Sequence, residues 1–141
     1  MTERATYATV YVGAQLGPEA ATLGLEWADD AGDRTADHEF EVTTDDPREA
    51  YLEIQAFDVA EYGHEFLING EALGGFDVPP NDGWQLWTDT ISGVDLQKGT
   101  NTLAIERDTD TNDAFAVGTV RVHWKEPVDG FQTKELVDDS T

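Results

Sequence analysis

Residues 65–107, EFLINGEALGGFDVPPNDGWQLWTDTISGVDLQKGTNTLAIER, decide the fold. Asn69-Gly70 lies between FLI and EAL. Both residues tolerate the positive φ that a type I′ turn demands at its two central positions, so the stretch reads as a β-hairpin. With a two-residue loop, Ile68 opposes Glu71, Leu67 opposes Ala72 and Phe66 opposes Leu73. Phe66, Ile68 and Leu73 then share one face, which is assigned to the core. Residues 74–83 hold too much Gly and Pro for an interior strand and form a surface loop. A strand follows over 84–91, with Trp87, Asp89 and Ile91 on one face and Leu86, Thr88 and Thr90 on the other. After a turn at 94–99, residues 102–107 alternate again with Leu103 and Ile105 inward.

Upstream, TYATVYV at 6–12 is β-branched and aromatic, which suits a first strand. Leu23, Leu25 and Trp27 recur at period two and predict a second strand, and the polar run 28–37 predicts an exposed turn. Residues 38–44 place Phe40 and Val42 on one face against Glu39 and Glu41 on the other. Pro47, which lacks an N–H, ends that strand. Residues 50–57 resume the alternation with Leu52, Ile54 and Ala56 inward. Residues 58–63 form a short turn, where Asp58 and Glu61 could box a single helical turn. Downstream, FAVGTVRVHW at 115–124 puts Val120, Val122 and Trp124 inward and Thr119, Arg121 and His123 outward. About eight or nine strands with regular turn signals predict an all-β antiparallel β-sandwich. The domain is expected over 1–125, followed by a polar acidic tail over 126–141.

The 141 residues suit one domain. They carry 30 Asp and Glu against 8 Lys and Arg, a net charge of -22. Such charge predicts disorder only when apolar residues are scarce. Here 39% of residues are hydrophobic and stand in patterned segments, so the chain is a folded domain in an acidic coat. The acids run from Glu3 to Asp139 without a long block, as expected of a whole surface adapted to molar salt, where the Debye length is ~3 Å. This reading resembles the proteins of haloarchaea. Nucleic acid and anionic membranes are poor partners for such a surface. The absence of cysteine removes disulfides, thiol catalysis and Cys-based zinc sites. No apolar h-region stands in the first twenty residues and no run reaches a membrane span, so a soluble, cytoplasmic protein is expected.

From about Tyr51 to Trp124 the order of signals resembles a galactose-binding-like jelly roll, the fold of many carbohydrate-binding modules and of accessory domains of glycosidases. The resemblance rests on Phe57-Asp58-Val59, Phe66-Leu67-Ile68-Asn69-Gly70 with its Gly-rich loop, Trp84 and Trp87. It continues through Leu96-Gln97-Lys98-Gly99-Thr100-Asn101, Leu103-Ala104-Ile105 and Val120-Arg121-Val122. The first fifty residues match only as generic strands. The resemblance implies a structural role for Gly99 and Asn101, and sugar-binding loops at one end of the sandwich. Fold by itself carries no function.

Candidate sites follow from chemistry. Phe76, Trp84 and Trp87 could stack on the apolar face of a sugar while Asn81 and Asp82 bind hydroxyls; against this, Trp87 suits the core and Trp84 a loop seal. Asp108, Asp110, Asn112 and Asp113 offer the hard oxygens calcium takes, without the central Gly or distant Glu of an EF-hand. In a chain this acidic, such a cluster also arises as surface decoration. The expected cofactor set is therefore none, with calcium the sole candidate. His38, His64 and His123 are too scattered for a zinc site, and His123 is expected on an outer, solvent-facing surface. No nucleophile elbow, P-loop or dinucleotide fingerprint is present. The expected function is a non-catalytic domain that binds a protein or a carbohydrate. A self-associating structural subunit of an oligomer or larger assembly is the alternative, and an enzyme or an enzyme's accessory domain is third.

Overall fold

The computed structural model describes residues 2–18, 23–75, 77–92 and 94–128. Phe76 and the tail from 129 onward lie outside them. Nine strands follow one another: β1 (Thr2–Leu16), β2 (Asp29–Gly32), β3 (His38–Val42), β4 (Arg48–Phe57), β5 (Glu65–Ile68), β6 (Glu71–Ala72), β7 (Trp84–Thr90), β8 (Gly99–Glu106) and β9 (Phe115–Val128). They form a five-stranded sheet in the order β2-β1-β9-β4-β7 and a four-stranded sheet in the order β3-β8-β5-β6, hereafter the larger and the smaller sheet. No helix occurs among the described residues. The architecture is the β-sandwich expected from the alternation and the jelly roll implied by the resemblance.

The core lies between the sheets. From the larger sheet Leu52, Ile54, Val120 and Val122 are fully buried, and they meet Phe66, Ile68, Leu103 and Ile105 of the smaller one. These are the inward positions of their strands, so the period-two pattern translates directly into burial. The hairpin register is Leu67↔Ala72 and Ile68↔Glu71, with Asn69 and Gly70 at φ 53° and 83°. Trp87 packs against the core, whereas Trp84 and Leu86 point outward. Asn101 is buried and ties the start of β8. It accepts from the backbone N–H of Gln97 at 2.9 Å and donates to the carbonyls of Gln97 at 2.7 Å and Gly99 at 3.1 Å. The Asn69 amide donates to its Oδ1 at 2.9 Å, which joins the hairpin turn to the β8 turn.

Two expectations fail. Residues 23–27 form no strand, and a strand, β2, appears inside the stretch read as an exposed turn. β2 pairs parallel with β1 through Ala14↔Asp29 and Gln15↔Asp30; the other named ladders are antiparallel. The unpaired edge of β1 supplies backbone donors and acceptors, and a ladder made there needs no apolar side chains. The second difference is at the other terminus. β9 continues past Lys125 to Val128, and Glu126, placed in the tail from its charge, is buried. Its carboxylate accepts from Thr43 Oγ1 at 2.5 Å, from Arg4 at 2.6 and 3.0 Å and from Trp124 Nε1 at 3.2 Å. Thr43, then Arg4 and Trp124, hold that carboxyl below the usual carboxylate range against the opposing effect of burial.

Candidate functional site: the outer face of the larger sheet

The outward residues of β1, β9, β4 and β7 lie in rows across the larger sheet. Tyr7, His123, Tyr51 and Thr90 make one row; Arg121 and Glu53, between Thr9 and Thr88, make the next. Further along, Gln55 stands opposite Leu86 and Phe57 opposite Trp84. Six large apolar side chains are exposed on or beside this face: Tyr7, Tyr11, Trp27, Tyr51, Trp84 and Leu86. Cross-strand neighbours stand ~5 Å apart, which sets Tyr7 and Tyr51 on either side of His123 and Phe57 beside Trp84.

At one end the aromatics form a ladder. The His123 ring stacks on Tyr51 at 4.4 Å and 5°, and lies 5.5 Å from Tyr7. The Arg121 guanidinium sits 5.7 Å over the Tyr7 ring. His123 Nε2 donates to Glu53 Oε1 at 2.9 Å, and Arg121 lies 3.6 Å from the same oxygen. That hydrogen bond, helped by the Arg121 guanidinium, holds the Glu53 carboxyl below its ordinary range despite burial. His123 therefore faces outward as expected, but it is half-buried between tyrosines.

At the other end Trp84, 49% exposed, is wedged between Phe57 at 5.1 Å and Trp27 at 5.3 Å. Tyr11 Oη donates to the Trp27 carbonyl at 3.2 Å and holds that segment over the sheet. Between the two ends Glu53, Gln55, Leu86, Thr119 and Arg121 line a shallow depression of about 130 Å³. Gln55 lies across the neighbouring strand, accepting the Thr119 backbone N–H at 3.2 Å. A Cβ on Gly118 would stand 2.6 Å from the Gln55 oxygen, so a larger residue there would displace the Gln55 amide from its place on the sheet.

Of the stacking candidates, Trp84 is on this face and Trp87 is in the opposite register, against the core. Asn81 and Asp82 are exposed in the loop before Trp84. The Asn81 amide is turned onto the loop backbone, donating to the carbonyls of Asp82 at 2.9 Å and Trp84 at 3.3 Å. Asp58 pins the same loop, accepting the Gly83 N–H at 2.6 Å. Phe76 lies outside the described residues.

The Asp108–Asp113 stretch is bound up in a network of its own. Asp113 is buried and accepts from His64 Nε2 at 2.7 Å, from the Ala60 N–H at 3.0 Å and from the Glu61 N–H at 3.1 Å. The Asp108 N–H donates to His64 Nδ1 at 2.9 Å, which places the ring proton on Nε2. Asp108 Oδ1 accepts the Asp110 N–H at 2.9 Å, and Asn112 is exposed. Among the described residues no three His, Asp or Glu side chains converge as a metal site.

Tyr7, Tyr11, Trp27, Tyr51, Phe57 and Leu86 line the candidate site, although the sequence marks none of them as a binding residue. The outward parity of residues 51–57 and 119–123 was visible; which strands lie side by side was not, and adjacency is what assembles the rows.

Three solved structures with this fold are similar over most of the chain. A family 35 carbohydrate binding module from an environmental isolate aligns with TM-score 0.53 and 17% identity, covering 85% of this chain and 96% of that one. The CBM35 of Cellvibrio japonicus Abf62 aligns with TM-score 0.51 and 18% identity over 84% and 92%. The GH26-CBM35 β-(1,4)-mannanase of Podospora anserina gives TM-score 0.51 and 14% identity over 88% of this chain, which spans only 29% of that enzyme. At such identities the likeness is one of fold. No curated protein matches the sequence. Residues 4–126 match the model of a family of unknown function, DUF7383, and the chain belongs to that family.

Proposed function

We propose that this chain is a non-catalytic carbohydrate-binding domain, and that its contact surface is the outer face of the larger sheet. The observation that carries the reading is Trp84, half exposed and held rigid between Phe57 and Trp27. An immobilised indole offers an apolar plane to a sugar ring at little entropic cost. Gln55, Thr88 and Glu53, nearby on the same face, supply hydrogen-bonding groups for hydroxyls. The fold shared with carbohydrate-binding modules supports the same assignment. Tryptophan fluorescence titrated with a panel of oligosaccharides in molar KCl tests it: a saturable change that Trp84→Ala removes is expected. No response across the panel overturns it.

The acidic surface supports a salt-adapted cytoplasmic setting, in which carboxylates keep the domain hydrated and their repulsion is screened. The thermal midpoint should then rise between dilute buffer and molar KCl, and a flat response would count against that setting. Self-association through the same face is the second reading, favoured by Leu86, which is 63% exposed. Light scattering in molar KCl separates the two, since a concentration-independent monomer defeats self-association.

A further inference from the structure

We infer that the ligand is a linear, uncharged oligosaccharide lying along β4, from the Trp84–Trp27 corner to the Tyr51–His123–Tyr7 ladder. This rests on the carbohydrate reading and adds length, direction and charge to it. Tyr51 and Phe57, which anchor the two aromatic groups, are six residues apart on one strand. At ~3.3 Å per residue they are separated by roughly 20 Å, more than one sugar ring covers. The ground between them is polar and shallow, the depression of Glu53, Gln55, Leu86, Thr119 and Arg121. Apolar rings at both ends with hydroxyl-binding groups between them match a chain of linked sugars, whose faces are apolar and whose rims are hydroxylated.

The charge of the ligand follows from pairing. Arg121 is paired with Glu53, Lys125 with Glu49 at 2.9 Å, and Arg48 with Glu3 at 2.9 Å and Asp46 at 2.6 Å. Each of these cations already faces a carboxylate, so an incoming uronate or sulfate would have to break an ion pair to gain one. Molar salt screens the long-range field of a net charge of -22 far more than it weakens pairs in contact at 2.6–3.6 Å. Neutral sugars incur no such loss.

The test is calorimetry in molar KCl with cello-, manno- and xylo-oligosaccharides of increasing length, and with oligogalacturonate as the charged counterpart. Trp84→Ala and Tyr51→Ala are compared with the wild type, their thermal midpoints confirming that both fold. Affinity is expected to rise with length and then level off. Tyr51→Ala should weaken the long ligand about tenfold and leave the shortest unchanged, while Trp84→Ala weakens both. Length-independent affinity with a silent Tyr51→Ala overturns the extended site and leaves the carbohydrate reading at Trp84 standing. Preference for oligogalacturonate overturns the uncharged class. No binding by any of the sugars, or a dimer that Tyr51→Ala dissolves, overturns the inference together with the reading beneath it.

Discussion

The two outer faces of this sandwich are made by the same alternation and end up unlike. The smaller sheet turns Glu39, Glu41, Thr100, Thr102, Glu65 and Glu106 outward, with Leu67 beside Ala104 and Ala72. None of the outward residues of its strands is an exposed large apolar side chain. The larger sheet turns out tyrosines, a histidine, a tryptophan and a leucine, and its charges are paired. Carboxylates therefore dominate one face, and aromatics with paired charges the other. Carboxylates hydrate a surface that should touch nothing, whereas exposed aromatics beside satisfied charges mark a surface that should touch something.

Several measurements would break or sharpen this contrast. Both faces hang on one frame, so the largest effect belongs to a residue that serves the frame. Asn101→Ala removes a buried amide that joins two turns and should cost ~2–4 kcal/mol, read from urea denaturation in molar KCl. A loss under ~0.5 kcal/mol would mean that Gly99 and the hairpin hold β8 without it. Next in size, Trp84→Ala should weaken sugar binding at least tenfold, ~1.4 kcal/mol, with little change in thermal midpoint. Glu41→Ala on the opposite face should leave binding alone; equal losses from both variants would erase the distinction between the faces.

A smaller effect separates the faces by salt. Glu39→Lys reverses one charge in an acidic field and should raise the midpoint in dilute buffer by roughly 1–2 °C, fading in molar KCl. A gain that persists in high salt would point to a new contact and away from relieved repulsion. The smallest effect is on pH. The Glu53 carboxyl sits below its ordinary range because His123 and then Arg121 favour the charged form. A depressed carboxyl stabilises the fold above its unfolded value, near pH ~4.3, and the benefit is lost as pH falls through the folded value. Glu53→Gln should therefore be less stable than the wild type by roughly a few tenths of a kcal/mol at neutral pH. The difference should close as pH falls below both the unfolded and the depressed folded value. A constant gap across that range would remove the ion pairs from the account.

Legibility from the sequence differs between these regions for a physical reason. Phe40 with Val42, Leu52 with Ile54, and Val120 with Val122 announce their strands because each lies within a few residues of the partner that sets the period. Asn69-Gly70 announces a hairpin because its turn chemistry is local. Nothing local announces β2, whose strand character is lent by the free edge of β1. Residue type alone makes Asp113 a calcium-ligand candidate. Its partner, His64, stands 49 residues away, and the buried pair they form was not inferred from the sequence. Glu126 looked like a tail residue for the same reason, its partners Arg4 and Thr43 being remote.

By itself, then, the sequence determined the β-sandwich, the hairpin register, the inward positions of most strands and the acidic coat, since alternation, turn chemistry and charge are local properties. Tertiary structure alone decided that β1, β9, β4 and β7 stand side by side. Only that adjacency brings Tyr7, His123 and Tyr51 into one row and Trp27 onto Trp84, because hydrogen-bonded strand order is a contest among distant backbone edges. The site is a property of the order in which strands meet.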